Sequence, residues 1–143
     1  MPDQLPVFVD TAYLLALSNL RDQWRPQAEH WEWRMSASRR PLVSTAYVLT
    51  EVADALASPR TRQLATSLIH VLLNSPLVEV IPASSTLLQA ALVLYAQRPD
   101  KYWSLTDCTS FVAMGQRGMG EALTADQHFR QAGFRALLLE RPS

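Results

Sequence analysis

The chain has 143 residues, a common length for one domain, and 48% of them are hydrophobic, enough for a sizeable core. The formal net charge is +0, which argues against a protein that coats nucleic acid through a bulk basic field. The single cysteine, Cys108, excludes an internal disulfide and a thiolate metal site. The sequence shows no secretory-signal pattern and no apolar run near the roughly 20 residues that span a bilayer. We therefore expect residues 1–143 to form one cytoplasmic domain without membrane contact.

Strands that alternate with helices are predicted along the whole chain. Hydrophobic runs beside turn residues predict five strands, at 7–10, 41–45, 77–81, 121–124 and 134–138. Caps and hydrophobic spacing predict helices at 11–19, around the apolar stripe at 24–35, and at 46–57, 58–74, about 84–95, 104–117 and 126–132. This alternation predicts an α/β fold with a mainly parallel sheet and helices on both faces. Ligands of such folds bind beyond the carboxyl ends of the strands.

Two aspartates follow predicted strands and therefore lie at that edge. Asp10 ends the first strand and Asp126 follows the fourth. Each also precedes a helix, where aspartate is a preferred N-cap residue. Position alone therefore leaves both capping and ligand binding open for each of them.

Two further acids fall on the apolar faces of predicted helices. Glu51 lies between Val48 and Val52 on one stripe, where an inward charge costs several kcal/mol unless it is paired or bound to metal. Asp107 repeats the pattern in its own helix. The alternatives are a buried Glu–Arg pair or an error of helix phase for Glu51, and a capping box with Ser104 for Asp107.

The four acids together favour a metal site. Carboxylates that meet at one edge of a sheet repel one another, and some stay protonated unless a cation lies between them. Oxygen ligands suit Mg²⁺ or Mn²⁺ rather than zinc. Such an ion can polarise a phosphate and generate hydroxide at neutral pH. The pattern therefore predicts hydrolytic chemistry on a phosphate ester.

At these residues the sequence resembles the PIN-domain nucleases and, within them, the VapC-type toxins. The resemblance covers nearly the whole chain. Its more specific motifs are W-S-L-T-D-C at 103–108 and T-x-D-x-x-F at 124–129, and its weaker ones are V-F-V-D-T at 7–11 and the segment 44–51.

The resemblance implies a metal-dependent endoribonuclease that uses Mg²⁺ or Mn²⁺ and acts on RNA. The acids that it places in the site, both as metal ligands and as catalytic residues, are Asp10, Glu51, Asp107 and Asp126. It also implies a five-stranded parallel sheet in the order 3-2-1-4-5, within a single PIN-like domain. The expected role is that of the toxin in a toxin–antitoxin pair.

Residues beside the acids are expected to play smaller parts. The hydroxyls of Thr11, Ser104 and Thr106 could orient a ligand or a metal-bound water, although Ser104 is equally an N-cap residue. His128 is expected to be a surface residue, with a contact to RNA as the alternative. Lys101 is expected in a solvated loop, with approach to the substrate as the alternative.

Other phosphate chemistries fit the sequence less well. A haloacid-dehalogenase phosphatase would place a second aspartate two positions after Asp10, where this chain has Ala12. The glycines at 115–120 have the wrong order for a dinucleotide loop, and the chain has no Walker lysine. A catalytically inactive PIN-like binding or scaffold module stays open, and metal-dependent cleavage would discriminate between the two.

The sequence also carries surplus apolar residues on two helices. The helix at 58–74 has a wide apolar face, formed by Leu64, Leu68, Ile69, Val71, Leu72 and Leu73. The earlier helix, around 24–35, carries Trp24, Trp31 and Trp33. Such surface is typical of a protein interface, and the alternative is a helix enclosed between the sheet and a neighbour. With the family resemblance, it favours a homodimer with a groove for an amphipathic segment of a small antitoxin.

Overall fold

The structure, a computed structural model, describes residues 4–140 as strands that alternate with helices. The strands are β1 (Val7–Val9), β2 (Leu42–Thr45), β3 (Val78–Ile81), β4 (Glu121–Leu123) and β5 (Arg135–Ala136). The helices are α1 (Thr11–Ser18), α2 (Arg25–Ser38), α3 (Ala46–Ala55), α4 (Arg62–Asn74), α5 (Ser85–Gln97), α6 (Leu105–Gln116) and α7 (Gln127–Gln131). A 3₁₀ turn follows at Leu137–Leu139. Within residues 4–140, every helix is too short or too polar to cross a bilayer.

The five strands form one parallel sheet in the order β3-β2-β1-β4-β5, which confirms the predicted order. In the central strand β1, Phe8 pairs with Val43 on one side and with Ala122 on the other. Successive residues of a strand point to opposite faces, and Val7, Phe8 and Val9 are all fully buried. Helices therefore cover both faces of the sheet, as parallel sheets require.

Aromatic side chains fix the starts of α6 and α7 against the sheet. The ring of Phe111 lies 5.0 Å from that of Trp103 and 4.9 Å from that of Phe129, in edge-to-face geometry. Phe129 is fully buried and also contacts Phe8 of β1, at 6.3 Å. This packing holds the start of α6, whose first turn carries Asp107, and the start of α7, whose N-cap residue is Asp126.

Most elements end within two residues of the prediction, but two are shorter than predicted by at least three residues. The helix expected at 58–74 begins at Arg62, because the hydroxyl of Thr61 bonds the carbonyl of Leu56 at 2.9 Å and holds the preceding residues in a turn. The fifth strand, expected at 134–138, ends at Ala136. Leu137 and Leu138 are both buried, and a 3₁₀ turn lets two successive side chains face the core, whereas a strand would turn one outward.

Candidate active site

Asp10 lies just beyond the carboxyl end of β1, in the middle of the sheet edge. It occupies the N-cap position of α1 but makes no capping bond with its side chain, so capping does not account for it. Its Oδ2 accepts a hydrogen bond of 2.7 Å from Oγ1 of Thr124. Burial above all, and then the charges of Asp107 and Asp126, raise the pKa of Asp10 from 3.8 to about 7. A negative charge here is therefore costly in the metal-free protein at neutral pH.

Asp107 lies in the first turn of α6, where it forms a capping box with Ser104. The backbone N–H of Asp107 donates to Oγ of Ser104 at 2.9 Å, and the backbone N–H of Ser104 donates to Oδ2 of Asp107 at 3.1 Å. The predicted cap is therefore present. Burial raises the pKa of Asp107, and the charge of Asp126 adds to this, while the bonds from Ser104 and His128 oppose it. Asp107 is thus both a capping residue and a destabilised carboxylate.

Asp126 and His128 bring two more ligand atoms to Asp107. Oδ1 of Asp126 caps α7 by accepting a bond of 2.8 Å from the backbone N–H of His128. Nδ1 of His128 lies 2.9 Å from Oδ2 of Asp107 and 3.3 Å from Oδ1 of Asp126. One ligand atom from each of the three residues lies within 4.8 Å of the others, a grouping that could hold a metal ion. The expectation that His128 is only a surface residue is therefore wrong.

Glu51 reaches the same edge from α3, and its contact there is a threonine. Its side chain is half-buried, and its Oε1 accepts a hydrogen bond from Oγ1 of Thr11, the residue after Asp10. None of the ion pairs described within residues 4–140 involves Glu51, so this part of the chain offers no support for the alternative of a buried Glu–Arg pair. Among residues 4–140, the group close enough to share one ion contains Asp107, Asp126 and His128, and both Asp10 and Glu51 lie outside it.

The chain is similar to a curated ribonuclease and to a solved structure of that protein. It is 30% identical over 128 residues to the 23S rRNA-specific endonuclease VapC20 of Mycobacterium tuberculosis, covering 90% of this chain and 95% of that protein. The chain belongs to the VapC-type PIN-domain toxin ribonucleases. The crystal structure of Mycobacterium tuberculosis VapC20, a sarcin-ricin loop cleaving toxin, matches with a TM-score of 0.78 and 28% identity, over 90% of this chain and 95% of that one. No protein-family model matches the sequence.

Hydroxyl groups position all four acids of this VapC-type chain. Thr11 bonds Glu51, and Ser104 supports Asp107 through the capping box. Oγ1 of Thr124 donates to Asp10 and accepts a bond of 3.0 Å from the backbone N–H of Asp126. The predicted supports Thr11 and Ser104 thus contact the acids, whereas Thr106 lines a cavity of about 340 Å³ together with Glu51.

The bridging role of Thr124 is missing from the sequence-based prediction. Thr124 follows β4, which lies beside β1 in the sheet, and it is fully buried. The signal that could have found it is a hydroxyl residue at the carboxyl end of the strand expected next to the one that carries Asp10. Such a residue faces the neighbouring acid across the strand ends.

Proposed function

We propose that this chain is the toxin of a toxin–antitoxin pair and hydrolyses a looped segment of ribosomal RNA with Mg²⁺ or Mn²⁺. The metal would be held by Asp10, Glu51, Asp107 and Asp126. The observation that carries the proposal is the meeting of Asp107, Asp126 and His128 within 4.8 Å, beside a buried Asp10. Carboxylates with raised pKa values at a ligand-binding edge are typical of functional sites, and a cation among them would restore their charged forms.

The donor set fits a hard divalent ion. The hydrogen bonds described for residues 4–140 engage one oxygen on each of three acids: Oδ2 of Asp107, Oδ1 of Asp126 and Oε1 of Glu51. The second oxygen of each carboxylate can then serve as a ligand, and oxygen ligands suit Mg²⁺ and Mn²⁺. Nδ1 of His128 faces carboxylate acceptors, so it donates to them and orients Asp107 and Asp126.

The chain's own residues prepare the site for phosphate hydrolysis. A divalent ion bound at this edge would polarise a phosphate oxygen and lower the pKa of a bound water. Thr124 ties Asp10 to the end of β4, and Thr11 ties Glu51 to the start of α1. Because Asp10 is buried, its charge interacts strongly with a cation and weakly with solvent. These contacts hold the carboxylates in place before substrate arrives.

The RNA class is inferred from the relative. VapC20 is named for 23S rRNA and for the sarcin-ricin loop, and its structure matches this chain over 90% of the chain's length. Proteins recognise unpaired bases in RNA loops more readily than the deep groove of an RNA helix. We therefore assign a looped ribosomal RNA segment as the substrate class.

The decisive experiment measures cleavage of ribosomal RNA and of a short RNA stem–loop by the purified protein. Cleavage should require Mg²⁺ or Mn²⁺, stop with chelator and return when metal is restored. Asp107→Asn should slow cleavage at least about 100-fold, because the charge that holds the ion is lost while the capping geometry is retained. Glu29→Gln, at an exposed acid on α2, is the matched control and should cleave at the native rate.

Three results would contradict the proposal. Activity that survives thorough chelation would exclude the metal mechanism. An Asp107→Asn protein with native activity would remove that acid from the site. A folded native protein that cleaves no RNA with either ion would favour a PIN-like binding module instead.

We also propose that an amphipathic antitoxin segment binds an apolar groove between α1, α2 and α4. The groove has a volume of about 300 Å³, and its walls include Leu17, Met35, Leu68 and Val71. Val71 is 65% exposed, so α4 presents more apolar surface than its contact with the core requires. A helix that lays an apolar face into such a groove is a common mode of peptide recognition.

A homodimer is the second proposed assembly, and it rests on fewer aromatic residues than the sequence suggested. Trp33 is 67% exposed on α2, as expected for an interface residue. Trp31, in contrast, is buried, and its Nε1 donates to the carbonyl of Leu137 at 3.0 Å. Trp24 is half-buried at the start of α2. The exposed tryptophan, with the exposed side of α4, is the support for association.

A further inference from the structure

Another cavity opens between the end of α5 and the start of α6, directly beside the acidic edge. Its volume is about 760 Å³, and the residues that matter in its wall are Tyr95, Arg98, Lys101, Tyr102 and Ser104. Ser104 is also the capping partner of Asp107. The cavity and the acidic edge therefore share the first turn of α6.

Tyr102 is 93% exposed, although the residues after it are firmly held. The ring of Trp103 is buried against Phe111, and its Nε1 donates to Oε1 of Gln131 at 3.0 Å. Ser104 is then the N-cap residue of α6. An aromatic ring in water beside a fixed backbone contributes nothing to the core of this chain, and it is already in place to stack on a planar ligand.

The charges around Tyr102 favour an anionic ligand. Arg98 pairs with Asp100 at 2.9 Å and lies over the ring of Trp103, 5.3 Å from its centre. Lys101, the single lysine of the chain, lies 3.9 Å from the same carboxylate. Two cations thus share one acid, and the cavity keeps an excess positive charge. Aromatic rings interleaved with cations are the usual means of binding single-stranded nucleic acid.

We propose that this cavity is a nucleotide-binding subsite, in which an unpaired base of the RNA stacks on Tyr102 while Lys101 contacts a phosphate. This inference rests on the proposed ribonuclease function, since it assigns where a nucleotide beside the cleaved bond is held. A second copy of the chain is the other conceivable occupant. Interfaces between identical chains are depleted in charge at their centres, whereas this cavity has charged residues on the wall next to Tyr102.

The test measures binding of a fluorescein-labelled, unpaired RNA octamer by fluorescence anisotropy. All proteins carry Asp10→Asn, which prevents cleavage during the measurement. Tyr102→Ala should raise the Kd by about 5- to 100-fold, the range for loss of one stacked base, and Tyr102→Phe should restore binding because the ring alone stacks. Lys101→Gln should weaken binding and reduce the slope of log K against log salt by about 0.7, the effect of one phosphate contact. Leu20→Ala, at another highly exposed position, 83% accessible, is the control.

Cleavage by proteins with native Asp10 separates this inference from the function on which it rests. Tyr102→Ala should raise KM while leaving kcat close to native, because it removes binding shared by substrate and transition state. If Tyr102→Ala cleaves RNA with the native KM and binds the octamer with the native Kd, the subsite is wrong and the ribonuclease proposal stands. If the native protein cleaves no RNA while Tyr102→Ala still weakens octamer binding, the ribonuclease proposal is wrong and the subsite stands. If Tyr102→Ala leaves RNA binding intact and changes the mass in light scattering, the cavity is an interface between copies and the subsite is wrong.

Discussion

Replacing Asp10 by asparagine should stabilise the metal-free protein at neutral and alkaline pH. The pKa of this buried carboxyl is 3.8 ordinarily and about 7 in the folded chain, so folding favours its protonated form. The stability that the group contributes is complete below about pH 3.8 and is lost as the pH rises through about 7. With about 1.4 kcal/mol for each tenfold change in proton affinity, ionised Asp10 costs the fold about 4 kcal/mol at pH 8.

Asparagine retains the shape of the side chain and an oxygen that accepts the bond from Thr124, and it has no charge. We therefore expect Asp10→Asn to raise the free energy of unfolding by about 2–4 kcal/mol at pH 8 in chelator. The gain should shrink as the pH falls, and it should nearly vanish at about pH 4, where the native carboxyl is also neutral. The variant also relieves repulsion with Asp107 and Asp126.

Urea unfolding followed by circular dichroism, at several pH values between about 4 and 8, measures this difference. Glu29→Gln is again the control, because that exposed carboxyl lies on α2, outside the acidic edge. Mg²⁺ at about 100 times its Kd should add about 2.7 kcal/mol to the native protein at pH 8 and much less to Asp10→Asn. An asparagine variant that unfolds more easily than native at pH 8, or that has the native pH profile, would refute the electrostatic account of Asp10.

Two further predictions concern metal affinity and assembly. His128→Ala should weaken Mn²⁺ binding and slow cleavage by about 10- to 100-fold, the usual effect of losing a group that orients metal ligands. Calorimetric titration of Mn²⁺ into the native protein and the variant would show the loss, provided that both proteins have the same Tm. An unchanged Mn²⁺ affinity in the variant would exclude this role of His128. The native chain should scatter light as a dimer at micromolar concentration, with Trp33→Glu and Ile69→Glu shifted towards monomer. A native protein that is monomeric, with variants of the same mass in solution, would rule out the interface.

The placement of the acids follows from sequence to a large extent, because it depends on which strand or helix carries each of them. Asp10 ends a short run of apolar residues that is typical of a buried strand, and Glu51 interrupts an apolar stripe. These patterns are local, so they can be read from neighbouring residues. The order of the strands came from the family resemblance, and the structure confirms it.

The side chains that contact the acids could not be predicted in the same way. His128 meets Asp107, 21 positions earlier in the chain, only because α7 turns back over the start of α6. Thr124 meets Asp10 across 114 positions, through the pairing of β1 with β4. Such contacts depend on the angle at which two elements pack, which hydrophobic periodicity does not report. The two buried leucines at 137 and 138 misled the strand prediction for a similar reason, since burial on successive positions is also typical of fully enclosed strands.

The pairing of β1 with β4 has a consequence for how this protein can diversify. Val9 pairs with Leu123, and the backbone N–H of Asp10 extends the ladder by donating to the carbonyl of Leu123 at 3.3 Å. The pairing of these two strands therefore sets the spacing between Asp10 and the turn that carries Asp126. The connection at 98–102 belongs to no strand, so its sequence can drift without moving an acid. Substitutions there can therefore alter the proposed nucleotide-binding subsite while the spacing of the acids stays constant.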